Sequence, residues 1–265
     1  MGEHTAISWT DATWSPVTGC TKVSPGCLHC YAATLDKRFH RDGPHVPWTV
    51  AAQRKAGVSA IHLHPERLDA PLHWKKPRRI FVNSMSDLFH EDVPWQFVED
   101  IFLTIAATPW HTYQILTKRP ERMLAYADWR HRAYGPFGTE RAWPANIWAG
   151  VSVENQRYAD ERLPILAQVP AAVRFVSVEP MLGPVDLSKW LQPRDHRGTP
   201  DLQWLVCGGE SGPGHRPMQL PWLESIAGQC QVAGVPLFVK QDSGNRPGQQ
   251  GDIPDSLWAL KEMPL

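Results

Sequence analysis

Short runs of β-branched and apolar residues recur along the chain. They fall at Ala12–Val17, Ala60–Leu63, Ile80–Asn83, Tyr113–Thr117, Ile147–Val153, Arg174–Val178, Trp204–Cys207 and Leu237–Lys240. From the third run on, their starts are spaced by roughly 30 residues, the length of one strand–helix unit. Between them the apolar period changes to that of a helix. Phe97, Val98, Ile101, Phe102 and Ile105 mark one face of a helix over Trp95–Ala107, and Pro120–Ala127, Asn155–Gln168 and Pro221–Ala233 read the same way. Arg130–Pro144 and Pro193–Pro200 read as loops or insertions. Strands that alternate with helices predict a parallel sheet with both faces covered. Eight such runs in 265 residues suit a (β/α) barrel of the TIM type, full or partial, with a doubly wound open sheet as the competing arrangement. No linker-like stretch divides the chain, so residues 1–265 are read as one domain.

A barrel carries its chemistry where the strands end. Polar residues stand just past most of these runs: Asn83, Ser84 and Asp87; Lys118 and Arg119; Ser152 and Glu154; Ser177 and Glu179; Gly208, Gly209 and Glu210; Lys240, Gln241 and Asp242. From this position the candidate ligand-binding set is Ser84, Asp87, Lys118, Ser152, Glu154, Glu179 and Glu210, with no catalytic residue singled out. Several have an ordinary structural alternative. Asp87 is also a good cap for the helix that follows, and Lys118 and Arg119 are also compatible with a solvated surface. A carboxylate facing inward needs a partner, because an unpaired buried charge is costly.

Charge alters the picture little. The 27 basic and 27 acidic side chains cancel, so no overall field favours a polyanion, and nucleic-acid contact would require a local patch. Trp74-Lys75-Lys76-Pro77-Arg78-Arg79 and Trp129-Arg130-His131-Arg132 mix cations with rings in the way such a patch requires. The first of them precedes a strand, on the far side of a barrel from its catalytic face. No apolar stretch is long enough to span a bilayer, and the N-terminus has no basic start followed by an apolar run. A cytoplasmic location without membrane contact is therefore expected. His90-Glu91-Asp92 reads as a polar turn before Pro94, and His62 and His64 share one strand face without further ligands.

Three of the five cysteines, Cys20, Cys27 and Cys30, lie within eleven residues in the spacing C-x6-C-x2-C. Clustered cysteines in a cytosolic chain favour a metal over a disulfide. Spacing alone leaves two readings: zinc, with His29 as a conceivable fourth ligand, or an iron–sulfur cluster with one iron free of protein ligands.

The loop follows an early strand and precedes an aromatic residue, Tyr31, and a helix over Tyr31–Arg38. In this it resembles the cluster loop of radical S-adenosylmethionine enzymes, whose usual first gap is three residues rather than six. More closely, Ile7–Ala32, Leu63–Pro94, the ILTKRPERM run from Ile115, the GVSVE run from Gly150, the VSVEPMLGPVDL run from Val176 and Cys207–Met218 resemble a phage-associated, three-cysteine-motif family of radical-SAM-like proteins. The resemblance implies a partial or full barrel with its cluster loop after the first strand. It also implies a [4Fe-4S] cluster on Cys20, Cys27 and Cys30, S-adenosylmethionine on the free iron, and an external electron donor. The implied activity is reductive cleavage of S-adenosylmethionine, followed by hydrogen abstraction from a substrate that the resemblance does not identify, with a nucleoside or nucleic acid as the leading class. Gly208-Gly209-Glu210 looks like the motif that holds the methionine amino group in such enzymes, but it follows the seventh run instead of the second, so that role is not carried over. The alternative function is a zinc-stabilised nucleic-acid-binding protein without catalysis.

Overall fold

The computed structural model describes residues 5–39, 61–134, 143–193 and 198–264. Its centre is a seven-stranded, all-parallel sheet formed by β1 (Ala12–Trp14), β4 (Arg79–Val82), β5 (Thr112–Thr117), β6 (Ile147–Ser152), β7 (Val173–Val178), β8 (Trp204–Gly208) and β9 (Leu237–Gln241), in that spatial order. The sheet is curled and open, a half-barrel, so closure into a full TIM barrel is corrected. The run at Ala60–Leu63 supplies no strand to this sheet. Ala60 lies outside the described residues, and His62–Leu63 (β3) pairs antiparallel with Val17–Thr18 (β2) as a separate two-stranded ribbon.

Helices follow the strands: α1 (Tyr31–Phe39), α2 (Trp95–Ala106), α3 (Pro120–Tyr134), α4 (Gln156–Leu166), α5 (Ser188–Leu191), α6 (Leu220–Ala233) and α7 (Asp255–Trp258), of which the one-turn α5 and α7 have no counterpart in the sequence reading. Asn155 caps α4, its side-chain oxygen accepting from Tyr158 N at 3.4 Å. Gly234 ends α6 in the left-handed region at φ 65°, where a side chain would be strained. The helix α3 runs to Tyr134, so Arg130–Tyr134 is helical and not loop. The remaining loop readings at 135–142 and 194–197 lie outside the described residues. No helix among the described residues is long and apolar enough to cross a membrane.

Strand side chains alternate between two faces. One set, with Ile80, Val82, Tyr113, Ile115, Ile147, Ala149, Val151, Val176, Val178, Leu205, Cys207, Leu237 and Val239, joins the helices in one large core. The other set faces the concave side, where Phe81, Phe175, Trp204, Val206 and Phe238 join Trp9 in a smaller aromatic core. Gly150 makes room for it, because a Cβ there would lie 2.5 Å from Phe175 Cζ. The same inward parity, carried past this layer to the strand ends, reaches Lys118, Ser152, Ser177, Glu179, Glu210 and Lys240. The aromatic core is thus a floor, and the polar groups rise from it at the C-terminal edge.

Candidate functional site

The inward parity ends in a pocket of about 170 Å³ over Trp9 and Phe81. Lys118, Ser152, Ser177, Glu179, Glu210, Lys240 and Gln241 line its sides, and Gly26, His29, Cys30 and Tyr31 cover it from the cysteine loop. The Trp9 and Phe81 rings are 4.7 Å apart and tilted by 54°; both are buried and form an apolar floor that shows only their edges to the pocket. Above them Lys240 Nζ donates to Glu179 Oε1 at 2.5 Å, with both side chains 18% exposed. This pair reaches across β8, where Gly208 has no side chain to block it. A Cβ at Gly208 would already stand 3.4 Å from Lys240 Cβ. Glu210 is bound by Arg216 through both carboxylate oxygens. Burial alone would raise its pKa, but the hydrogen bonds from Arg216 outweigh that and hold Glu210 below the usual range.

The cover is fastened from several sides. Gly19 N donates to Met85 O at 3.2 Å, Arg119 Nη2 to Thr21 O at 3.1 Å and Arg216 Nη2 to Pro25 O at 2.9 Å. Tyr31 reaches the carbonyl of Ser84 with its hydroxyl at 2.5 Å. Beneath the loop lies Glu154, with no exposed surface. It accepts from Ser24 Oγ at 2.6 Å and from Arg162 Nη1 at 3.1 Å, and Lys118 Nζ is 3.8 Å away. Gly26 rests on this carboxylate so closely that a Cβ would fall 2.5 Å from Oε1.

Of the sequence-predicted residues, Lys118, Ser152, Glu179 and Glu210 therefore meet in the pocket, and Glu154 lies directly under its cover. Ser84 contributes only its carbonyl to Tyr31. Asp87 is engaged elsewhere: it accepts from Phe89 N, Thr117 Oγ1, Lys118 N and Arg119 Nη1 at 2.7–3.1 Å. The bond from Phe89 N closes a local turn and does not cap a helix, since the next helix begins at Trp95. Periodicity gave Trp9, Tyr31 and Phe81 no functional weight. Trp9 precedes β1, Tyr31 belongs to a helix start, and Phe81 looks like any buried strand residue.

The expected metal centre is corrected. Among the described residues no three or more His, Cys, Asp or Glu side chains stand together in an arrangement that could hold a metal ion, and all five cysteines are free. The three thiols are drawn to different neighbours. Cys20 Sγ faces Thr21 O at 3.5 Å and the Arg119 guanidinium at 3.7 Å, Cys27 Sγ lies 3.8 Å from Ser24 Oγ, and Cys30 lines the pocket. A cation already stands beside Cys20. Burial pushes that thiol up to about 12, with Asp87 adding to the rise and Arg119 opposing it. The residues do not fit a [4Fe-4S] cluster, and S-adenosylmethionine loses the vacant iron it was expected to chelate. The zinc alternative requires the same assembly and falls with it.

A second hollow, about 1260 Å³, lies at the opposite edge of the sheet, between α6 and the segment 254–264. It is lined by two carboxylates, Glu224 and Glu262, and by no cation. Glu262 is occupied in accepting from Leu237 N at 3.0 Å. The paired charges that can do chemistry are at the smaller pocket.

A protein-family model matches residues 4–252, nearly the whole chain. The chain belongs to the family described as "Protein of unknown function (DUF5131)". No curated protein matches it. Among solved structures, the chain is similar to "Spore photoproduct lyase complexed with dinucleoside spore photoproduct", with 16% identity and a TM-score of 0.38 over 80% of this chain and 58% of that one. The chain thus spans less than two thirds of that protein's length.

Proposed function

We propose that this member of the family is an enzyme that performs acid–base chemistry on a small, ring-bearing substrate of the nucleoside class, bound in the pocket at the C-terminal edge of the half-barrel. The observation that carries the reading is the Lys240–Glu179 pair, held in a half-enclosed site above an aromatic floor. The pocket equals roughly six water volumes, enough to enclose a base-sized ring while a sugar occupies its mouth. The apolar floor over Trp9 and Phe81 suits the ring, Glu179 suits a hydroxyl donor, and Lys118 and Lys240 suit carbonyl or other electron-rich oxygens.

In this reading Glu179 accepts a proton from a substrate N–H or O–H. The electron pair stays on the substrate, and Lys240, released from part of its bond to Glu179, faces the developing negative charge. A cation in a partly desolvated site is worth more there than in water. Ser152 and Ser177 orient polar substituents, and the loop from Gly26 to Tyr31 limits water entry.

The test is to titrate a panel of nucleosides calorimetrically and to follow their conversion by mass spectrometry. The Lys240→Met and Glu179→Gln variants are expected to lose conversion by about 100-fold or more, the usual effect of removing an acid–base group. Their thermal midpoints should stay near the parent value. Conversion unchanged in both variants, or absent for every nucleoside with the parent protein, rejects the reading.

A further inference from the structure

One wall of the pocket carries hydrogen-bond donors that the Lys240–Glu179 pair does not occupy. The sheet register sets Thr117 of β5 beside Val151 of β6, and Ser152 of β6 beside Ser177 of β7. Lys118, one position past Thr117, is therefore level with Ser152. Lys118, Ser152 and Ser177 thus form a row across three adjacent strand ends, about 4.8 Å from strand to strand, and all three line the pocket. The two serines are 3% and 1% exposed. Their carbonyls accept from Arg162 Nη1 and Val153 N, but among the described residues neither hydroxyl has a partner. A buried hydroxyl is costly to leave unpaired, and a ligand in the pocket can supply its partner.

The charges point the same way. Lys240 is matched by Glu179 and Arg216 by Glu210. Among the described residues the one carboxylate within 4 Å of Lys118 Nζ is Glu154, at 3.8 Å, and Arg162 already meets it at 3.1 Å. In these contacts four cations stand against three carboxylates, and Lys118 is the cation left over. Two further acids nearby do not restore the balance. Asp87, which takes the Lys118 backbone N–H, is matched by Arg119 at 3.1 Å, and Asp242 turns its carboxylate to Ser243 N and Asp252 N.

We propose that Lys118, Ser152 and Ser177 form a phosphate subsite, so that the substrate of the pocket is a nucleoside monophosphate and not the bare nucleoside. An ammonium beside two unengaged hydroxyls suits an oxyanion. Donors on three successive strands match the several oxygens of a phosphate better than the two of a carboxylate. The assignment rests on the reading of the pocket as a nucleoside site.

The experiment is calorimetric titration of the intact chain with adenosine, adenosine 3′-phosphate, adenosine 5′-phosphate and adenosine 5′-carboxylate. One of the phosphates should bind about tenfold or more tighter than adenosine, the effect of a charge-assisted hydrogen bond. Lys118→Met should bring that ratio close to one, and Ser152→Ala or Ser177→Ala should cut it by about threefold or more. Neither serine hydroxyl supports another described group, so the alanine variants fold even if Lys118→Met does not. Equal affinity for adenosine and both phosphates, a ratio unmoved by the substitutions, or a preference for the carboxylate overturns the proposal and leaves the nucleoside reading in place. If no adenosine compound binds, that reading fails, and inorganic phosphate decides the subsite. A rise in thermal midpoint over chloride at equal ionic strength, abolished by Lys118→Met and by Ser152→Ala, sustains it. The same rise in parent and variants, or none, overturns it.

Discussion

Replacing Glu154 tests whether the cysteine loop is seated on a buried carboxylate. In Glu154→Ala, Ser24 loses its acceptor and the 6%-exposed Arg162 side chain loses its counter-ion. Arg162 keeps the carbonyl of Ser152 at 2.7 Å and the Tyr158 ring, 4.4 Å from its guanidinium. An unpaired buried charge costs about 3–5 kcal/mol, which for a chain of this size corresponds to a fall of roughly 10 °C in thermal midpoint. Glu154→Gln keeps an acceptor near Ser24 but removes the charge, so its loss should be smaller, about 1.5–3 kcal/mol. Combining Glu154→Leu with Arg162→Met removes both charges together and should recover most of the loss, because a buried pair and an apolar replacement are often of similar stability. Urea unfolding with several probes gives all three values, and hydrogen exchange locates the effect, which should be largest over residues 22–31. A Glu154→Ala protein within about 0.5 kcal/mol of the parent, the range of an inert surface change, would show that the carboxylate does not hold the loop.

Other consequences follow from the same contacts. Gly26→Ala drives a methyl against Glu154 and should cost about 1–3 kcal/mol by overpacking, again read by unfolding and exchange. Asp87→Ala leaves the buried Arg119 with Glu91 as its remaining carboxylate and takes the acceptor from Thr117 Oγ1 and Lys118 N, and should cost about 1–3 kcal/mol in the same assay. Burial lowers the pKa of His90 below its ordinary 6.5, and Arg119 adds to the fall. The unfolded chain therefore binds the proton more readily, and stability should drop as pH falls below about 6.5, a slope that His90→Gln reduces. Burial lowers Lys261 to about 8 from an ordinary 10.5. The folded state then gives up that proton first, so stability should rise with pH across this window, and Lys261→Met should flatten the rise.

Strand positions and the polar strand ends were legible because both follow from local alternation. Phe175, Ser177 and Glu179 share one parity, as do Phe238 and Lys240, and once a strand is placed its parity states which side chains share the concave face. What the sequence left open depends on distant partners. Glu154 differs from Glu179 only through Ser24, 130 residues earlier, and Arg162 on the next helix. The cysteine spacing describes a compact loop and not the directions of its sulfurs. Cys20 is taken up by an arginine 99 residues away, a contact without local signature. Closure of the barrel was equally illegible: His62–Leu63 has the alternation of a sheet strand, yet its backbone pairs with β2 and leaves β1 and β9 as open edges.

The central claim, that the Lys240–Glu179 pocket receives a nucleoside, is tested most directly by a crystal structure grown with adenosine. The base is expected against Trp9 and Phe81, with its polar edge or sugar in contact with Glu179 and Lys240. Adenosine lodged in the hollow beside α6, or a pocket left empty at saturating adenosine, would contradict it.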